Sequence, residues 1–510
     1  MQIEVKSGDP LKISTAALVV GVFEESERQP PWTVAVNRAL GGAVAERLSA
    51  GDLRGKLGEI AVVAGRARGV AAERVVAVGL GKRAALDLER LRRATGRIVR
   101  WLDDGRTKEA VFLHHLASDR VADVEKVRAT AEAAVLAGFR SPAFGEKRLA
   151  NGGSLARITL LAPEAPRTEP ALARAVRMGQ VIAESANLAR RLAELPGNQL
   201  PPRLLAEAAL AVKKETRLQV TVYEEDWIRK RRMGALLGVA QGSVEPPRFI
   251  VLEHTPGRRP AQSGRRAPRR RAHIALVGKG VTFDTGGISL KPREDMERMK
   301  YDMSGAAAVL GALRAASILD LPLKVTGIIP TVENMPSGTA IKPGDVLLSM
   351  AGKSIEVVNT DAEGRLILAD ALAFATELEP DAIVDIATLT GACRIALGGA
   401  ACGLMGNDPD LVEELQLAGE ASGEAAWPLP LFSEYAEDIT SEVADLKNSG
   451  GRSAGALTAG TFLRAFVGDR PWAHLDIAGP AWIDKDKDYL KPGSAGFGVR
   501  LFMRFLEARA

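Results

Sequence analysis

Five short runs from residue 249 onward constrain the fold of the chain most: residues 249–252, 274–277, 325–329, 383–386 and 475–477. Two are apolar throughout and the other three carry one polar residue each, without the alternation of a sheet that faces water on one side, so they read as central strands covered on both faces. Helical stretches lie between them, among them residues 304–319, with Ser304 as candidate N-cap, and 366–378. Shorter runs at 60–63, 75–78, 110–113 and 158–161 repeat the strand–helix alternation over about the first 165 residues. The expected fold class is therefore α/β in two domains. A smaller N-terminal α/β domain covers 1–168, and a connecting helix covers 169–198, broken at Pro196, Gly197 and Asn198. A larger C-terminal domain covers 199–510, with a mixed, mostly parallel sheet flanked by helices.

Composition bounds the setting. In 510 residues, 46% hydrophobic and 26% charged, there is ample apolar material for two cores. The first residues contain no basic stretch leading into an apolar one, and no run approaches the roughly 20 apolar residues of a membrane span. A soluble, cytoplasmic protein without membrane association is expected. Cys393 and Cys402 both lie in small-residue sequence, which fits burial in a reducing compartment. The net charge of +5 is local: residues 257–271 hold seven arginines and no acid, and removing them takes the chain to −2. This segment reads as a flexible loop insertion, since loops lengthen cheaply. The alternative is non-specific nucleic-acid binding with a steep salt dependence, because several phosphates could be neutralised and no aromatic is present to stack on bases.

Polar residues gather where strands should end, the position at which open α/β sheets bind ligands. Asp284, Asp302, Asp361 and Glu363 supply four carboxylates whose mutual repulsion in a cleft calls for cations. Two divalent ions would neutralise them and could together activate a water and polarise a carbonyl. The oxygen-rich set favours Mn or Mg by hardness, with Zn also acceptable. Lys279, in a glycine-flanked loop, could ligate as a neutral amine beside cations. Lys291 and Arg365 would keep their charge, one to stabilise an oxyanion and one to hold an anion. No side chain is an obvious general base; in this half only His474 lies near a predicted strand end. Each piece alone is an ordinary turn or solvated loop, and spacing by itself leaves the reaction class open.

The segments VGKGVTFDTGGISLKP (277–292) and NTDAEGRLILADAL (359–372) resemble signatures of the leucyl aminopeptidase, or cytosol aminopeptidase, family. The likeness continues through 301–313, 385–392, 444–463 and 472–479, and so spans about 180–510. It implies a metal-dependent aminopeptidase that releases Leu and other apolar residues from the N-termini of peptides. By the same resemblance Asp284 and Glu363 bridge two ions, Mn or Zn, while Lys279 and Asp302 complete the more exchangeable position. Asp361 completes the other through its carboxylate and backbone carbonyl. Lys291 polarises the scissile carbonyl and stabilises the gem-diolate, and Arg365 holds a bicarbonate as general base. Met299, Thr388, Leu389 and Gly391 fall where substrate-binding residues would lie, and a homohexamer is implied.

Two other enzymatic readings are weaker. Gly451-Arg452-Ser453-Ala454-Gly455 matches the G-x-S-x-G of serine hydrolases, but the polar, glycine-ended stretch before it is not the strand a nucleophile elbow needs. Gly79-Leu80-Gly81-Lys82 follows a strand yet completes neither a dinucleotide nor a Walker motif.

Overall fold

The structure is a computed structural model that describes residues 1–24, 28–66, 69–117, 121–144, 153–162, 169–257 and 271–510. All but the last of the seven arginines of 257–271 lie outside the described residues. The chain divides into two compact units, residues 1–184 with 484–492, and residues 185–483 with 493–510. Helix Glu169–Glu194 runs through the first division.

The first unit is built on β1 (Gln2–Lys6), β2 (Leu18–Phe23), β3 (Ile60–Ala64), β4 (Val75–Gly81), β5 (Glu109–Phe112) and β6 (Arg157–Leu161). They lie in the order β1-β6-β5-β2-β4-β3, parallel except for the edge strand β3. β2 and β4 are buried along their whole length, and Leu18, Val20, Val22, Val75, Ala77 and Val111 form the core of one face. Glycines 79 and 81 fall inside β4.

The second unit carries β7 (Gln219–Tyr223), β8 (Arg248–His254), β9 (His273–Gly278), β10 (Gly280–Asp284) and β11 (Lys324–Asn334). It continues with β12 (Val346–Leu348), β13 (Ser354–Glu356), β14 (Ala382–Ala387), β15 (Cys402–Gly406), β16 (Ala426–Pro428), β17 (Leu446–Lys447) and β18 (Trp472–Asp476). The main sheet has the order β16-β15-β18-β14-β9-β11-β8-β7, with β10 paired to β11, and it is mixed but mostly parallel. β12, β13 and β17 form a separate small sheet.

β9, β14 and β18 have no exposed residue, because helices cover both faces. Ser304–Ile318 packs with Val499–Ala508 on one side, while Gly364–Glu377 packs with Gly234–Ala240 and Gly455–Arg464 on the other. Full burial of each Val, Leu or Ile in such a layer stabilises the fold by about 1.5–3 kcal/mol. Ser304 is not the N-cap expected of it. Met303 takes that place, and the Ser304 hydroxyl, in the first turn, donates to Tyr301 O at 2.6 Å. Cys393 and Cys402 are buried and unpaired.

Candidate active site

Lys279 is the single residue between β9 and β10, and its N–H bonds Ile386 O of β14 at 3.1 Å. Asp284 ends β10 opposite Asn334 at the end of β11, after a register shift between Val281 and Asp284. Such an irregularity re-aims the side chains beyond it. Asn334 Nδ2 donates to Asp284 Oδ1 at 2.8 Å and to Thr360 O at 3.1 Å, tying the strand end to the loop that carries Asp361 and Glu363. Asp302 lies just ahead of helix Ser304–Ile318. That helix starts close to the sheet because residue 305 is glycine: a Cβ there would stand 2.1 Å from Ile386 O.

Asp361 and Glu363 immediately precede helix Gly364–Glu377. Buried Asn448 clamps their loop, accepting from Val358 N and Asn359 N at 2.9 and 3.3 Å and donating to Asn359 O and Ala362 O at 2.7 and 3.3 Å. Gly364 leaves room for the lysine, since a Cβ would sit 2.6 Å from Lys279 Cε.

These segments bring one cluster together. Asp284, Asp361 and Glu363 each present a carboxylate oxygen, all within 4.8 Å of one another. Lys279 Nζ lies 2.8 Å from both Asp302 Oδ2 and Glu363 Oε1 and donates to Thr388 O at 3.0 Å. Lys291 Nζ lies 2.7 Å from Asp284 Oδ2 and also pairs with Asp361. Arg365, in the first turn of its helix, donates through Nη1 to Asn448 O at 2.9 Å, while its buried Nε has no hydrogen-bond partner.

The charges are in tension. Burial, reinforced by neighbouring acids, pushes Asp284 above its ordinary range, Asp302 well above it, and Asp361 to about 6. Burial works in the same sense on Glu363, but the ammonium groups of Lys279 and Lys291 outweigh it and hold that carboxyl low. For the two lysines burial opposes the charge, and the surrounding carboxylates outweigh it and raise both. Burial lowers Arg365 to about 10. Glu363 Oε2 is buried without a hydrogen-bond partner. Convergent hard oxygens with one orphaned among them, and an amine alongside, fit divalent cations.

The remaining sequence candidates are placed differently. Thr388 is buried and joins the cluster, its hydroxyl donating to Asp302 Oδ1 at 2.7 Å. Leu389 is half-buried against the core of the second unit. Met299 is half-buried in the 3₁₀ turn Met296–Tyr301. Gly391 is exposed, opens helix Gly391–Leu397 and has open space where a Cβ would be. His474 is buried inside β18 with Nδ1 2.5 Å from Asp385 Oδ1. Ser453 is exposed in a turn, six residues beyond the end of β17, and so is not at a nucleophile elbow. Sequence reasoning missed Asn334, Asn448 and Asp476, which hold the loops of the cluster. Asn334 is the polar end of a mostly apolar run, and Asn448 and Asp476 lie within the segments 444–463 and 472–479 that carry the family likeness.

Residues 187–503 match the catalytic domain of the cytosol aminopeptidase family, and residues 19–148 match its N-terminal domain. A probable cytosol aminopeptidase of Geobacter sp. (strain M21) is 44% identical over 510 residues, covering 100% of both chains. One of Roseiflexus castenholzii is 43% identical over 508 residues, covering 99% of each. Among solved structures, a mutant of tomato leucine aminopeptidase superposes with a TM-score of 0.86 at 30% identity, covering 100% of this chain and 96% of that one. The bottromycin maturation enzyme BotP in complex with Mn gives a TM-score of 0.82 at 33% identity, covering 97% and 99%.

Proposed function

Because the chain belongs to the cytosol aminopeptidase family and is an aminopeptidase, we propose that it removes Leu and other apolar residues from the N-termini of peptides with two divalent ions held by the cluster above. The observation that carries this reading is the convergence of Asp284, Asp361 and Glu363 within 4.8 Å, with Glu363 Oε2 buried and unpartnered. Asp284 and Glu363 would help hold both ions, Lys279 and Asp302 would serve one position, and Asp361 the other. Bound there, ions such as Mn or Zn would supply an activated water and a polarised carbonyl, and a bicarbonate would supply the general base.

The chain's own residues do the rest. Lys291 is only half-buried at the edge of the cluster, where its ammonium can donate to the scissile carbonyl oxygen and offset the charge of the tetrahedral intermediate. Arg365, with an unpaired buried Nε in the first turn of a helix, suits the bicarbonate. Met299, Thr388, Leu389 and Gly391 would bound the place of the first side chain. Discrimination of one methylene, worth about 1–3 kcal/mol, would leave specificity broad. A cytoplasmic homohexamer belongs to the same proposal. Among the described residues no helix is long and apolar enough to cross a membrane.

The test is hydrolysis of leucine-p-nitroanilide after chelation and then after adding back Mn, Zn, Co or Mg. Activity lost with chelator and regained with a divalent ion is the expected result, and the ranking of metals identifies the ion that exchanges. Activity that survives thorough chelation, with no bound metal left, would overturn the two-ion reading.

A further inference from the structure

Asp476, the last residue of β18, is fully buried, and its hydrogen bonds all go to neutral donors. Oδ1 accepts from the backbone N–H of Leu389 at 3.2 Å, Thr390 at 3.4 Å and Ala478 at 3.1 Å, and Oδ2 accepts from the Thr390 hydroxyl at 2.6 Å. A charge used this way holds backbone, and the backbone it holds is the turn that follows β14. The residue just before that turn, Thr388, is the one that grips two members of the cluster: its carbonyl accepts from Lys279 Nζ at 3.0 Å, and its hydroxyl donates to Asp302 Oδ1 at 2.7 Å.

We infer that Asp476 is a positioning residue for one of the two metal positions. It fixes residues 389–390 so that the adjoining Thr388 aims Lys279 and Asp302, and it acts on neither ion directly. Asp284 and Asp361 are held from elsewhere, through Asn334, Thr360 and the Asn359 side chain, so the effect falls on the Lys279–Asp302 position. This rests on the two-ion reading above. Groups behind the ligands of a metal are known to tune affinity by orienting those ligands, typically by about 10–100-fold.

The experiment is Mn²⁺ titration of the metal-stripped full chain, with bound ion counted from the loss of the free-ion EPR signal and folding followed by thermal melting. The native chain should bind two ions. Asp476→Ala should keep one tight ion and weaken the second by about 10–100-fold. Asp476→Asn should recover most of that loss, because its amide oxygen still accepts from the turn and its NH₂ can donate to the Thr390 hydroxyl. Two ions bound by Asp476→Ala as in the native chain, or both weakened equally, overturns the inference. So does an Asn variant no better than Ala. Should Asp476→Ala fail to fold, Thr390→Val removes the hydroxyl that donates to Oδ2 and that also caps helix Gly391–Leu397 by accepting from Cys393 N at 3.0 Å, and it should weaken the second ion alone; unchanged binding there overturns the inference equally. A native chain that binds fewer than two ions overturns the two-ion reading itself, a separate failure visible before any variant is made.

Discussion

Lys291 and Glu363 lie in one cluster, yet their surroundings assign them different tasks. Glu363 is wholly buried, with one oxygen on Lys279 and the other without a partner, so its removal should disturb every cation the cluster holds. Lys291 sits at the edge, half-buried, against Asp284 and Asp361. Glu363→Ala is therefore expected to lose bound metal and activity together, as read by metal content after gel filtration. Lys291→Ala should keep its metal and lose about 10²–10³ in kcat, the usual consequence of deleting one donor to a developing oxyanion. Equal metal loss in both variants would contradict the division of roles. The charged members of this cluster were legible in the sequence because acids and lysines between glycines at strand ends leave a pattern. Asn334, Asn448 and Asp476 were not. Neutral amides and a lone strand-end carboxylate have no spacing of their own, and their work depends on partners that only the fold supplies, such as the carbonyl of Ala362 for Asn448.

The pairing of β14 with β18 contains a buried polar link in the middle of an apolar sheet. Asp385 accepts from Trp472 Nε1 at 2.7 Å and from His474 Nδ1 at 2.5 Å, and neither Asp385 nor His474 is exposed. Burial opposes charge on His474, but the Asp385 carboxylate and its hydrogen bond outweigh it and hold the imidazole above its ordinary value of 6.5. A raised histidine stabilises the fold in full below that ordinary value, and the gain disappears as pH rises through the folded value. Asp385→Asn should therefore cost about 3–5 kcal/mol at about pH 6, the scale for breaking a buried pair, and the difference from the native chain should shrink as pH rises above neutral. Denaturant unfolding at several pH values measures it, and a difference independent of pH would refute the link. The apolar strands of this sheet were legible from their runs alone. β10 was not, because Gly280–Asp284 reads as a polar glycine loop, and only pairing with β11 makes it a strand. Short edge strands such as β16, three residues long, carry too few apolar positions to be read at all.

At the scale of the molecule, the first unit is discontinuous: Asp484–Pro492 completes a body otherwise made of residues 1–184. This segment lies along helix Leu88–Asp104. Asp488 pairs with Arg93 at 2.6 Å and Arg97 at 3.4 Å, Asp486 pairs with Arg100, and the Tyr489 hydroxyl donates to the Glu89 carboxylate at 3.0 Å. The helix admits the tyrosine at Gly96, where a Cβ would stand 2.4 Å from Tyr489 Cβ. Magnitudes decide which contact matters. Ion pairs from half-exposed arginines are worth about 0–1 kcal/mol each, whereas truncating a buried aromatic side chain costs about 3–5 kcal/mol, and Tyr489 is 3% exposed. Tyr489→Ala in the full chain should therefore lower hydrogen-exchange protection along Leu88–Asp104 and leave helix Gly364–Glu377 unchanged. Arg93→Ala should do little to either. Equal loss in the two helices would show that the tyrosine supports the whole chain, and an unchanged Leu88–Asp104 would show that the first unit stands without the segment that returns to it. Neither outcome could be foreseen from spacing, since the contact joins residues 400 positions apart, and nothing local in either segment marks the other as its partner.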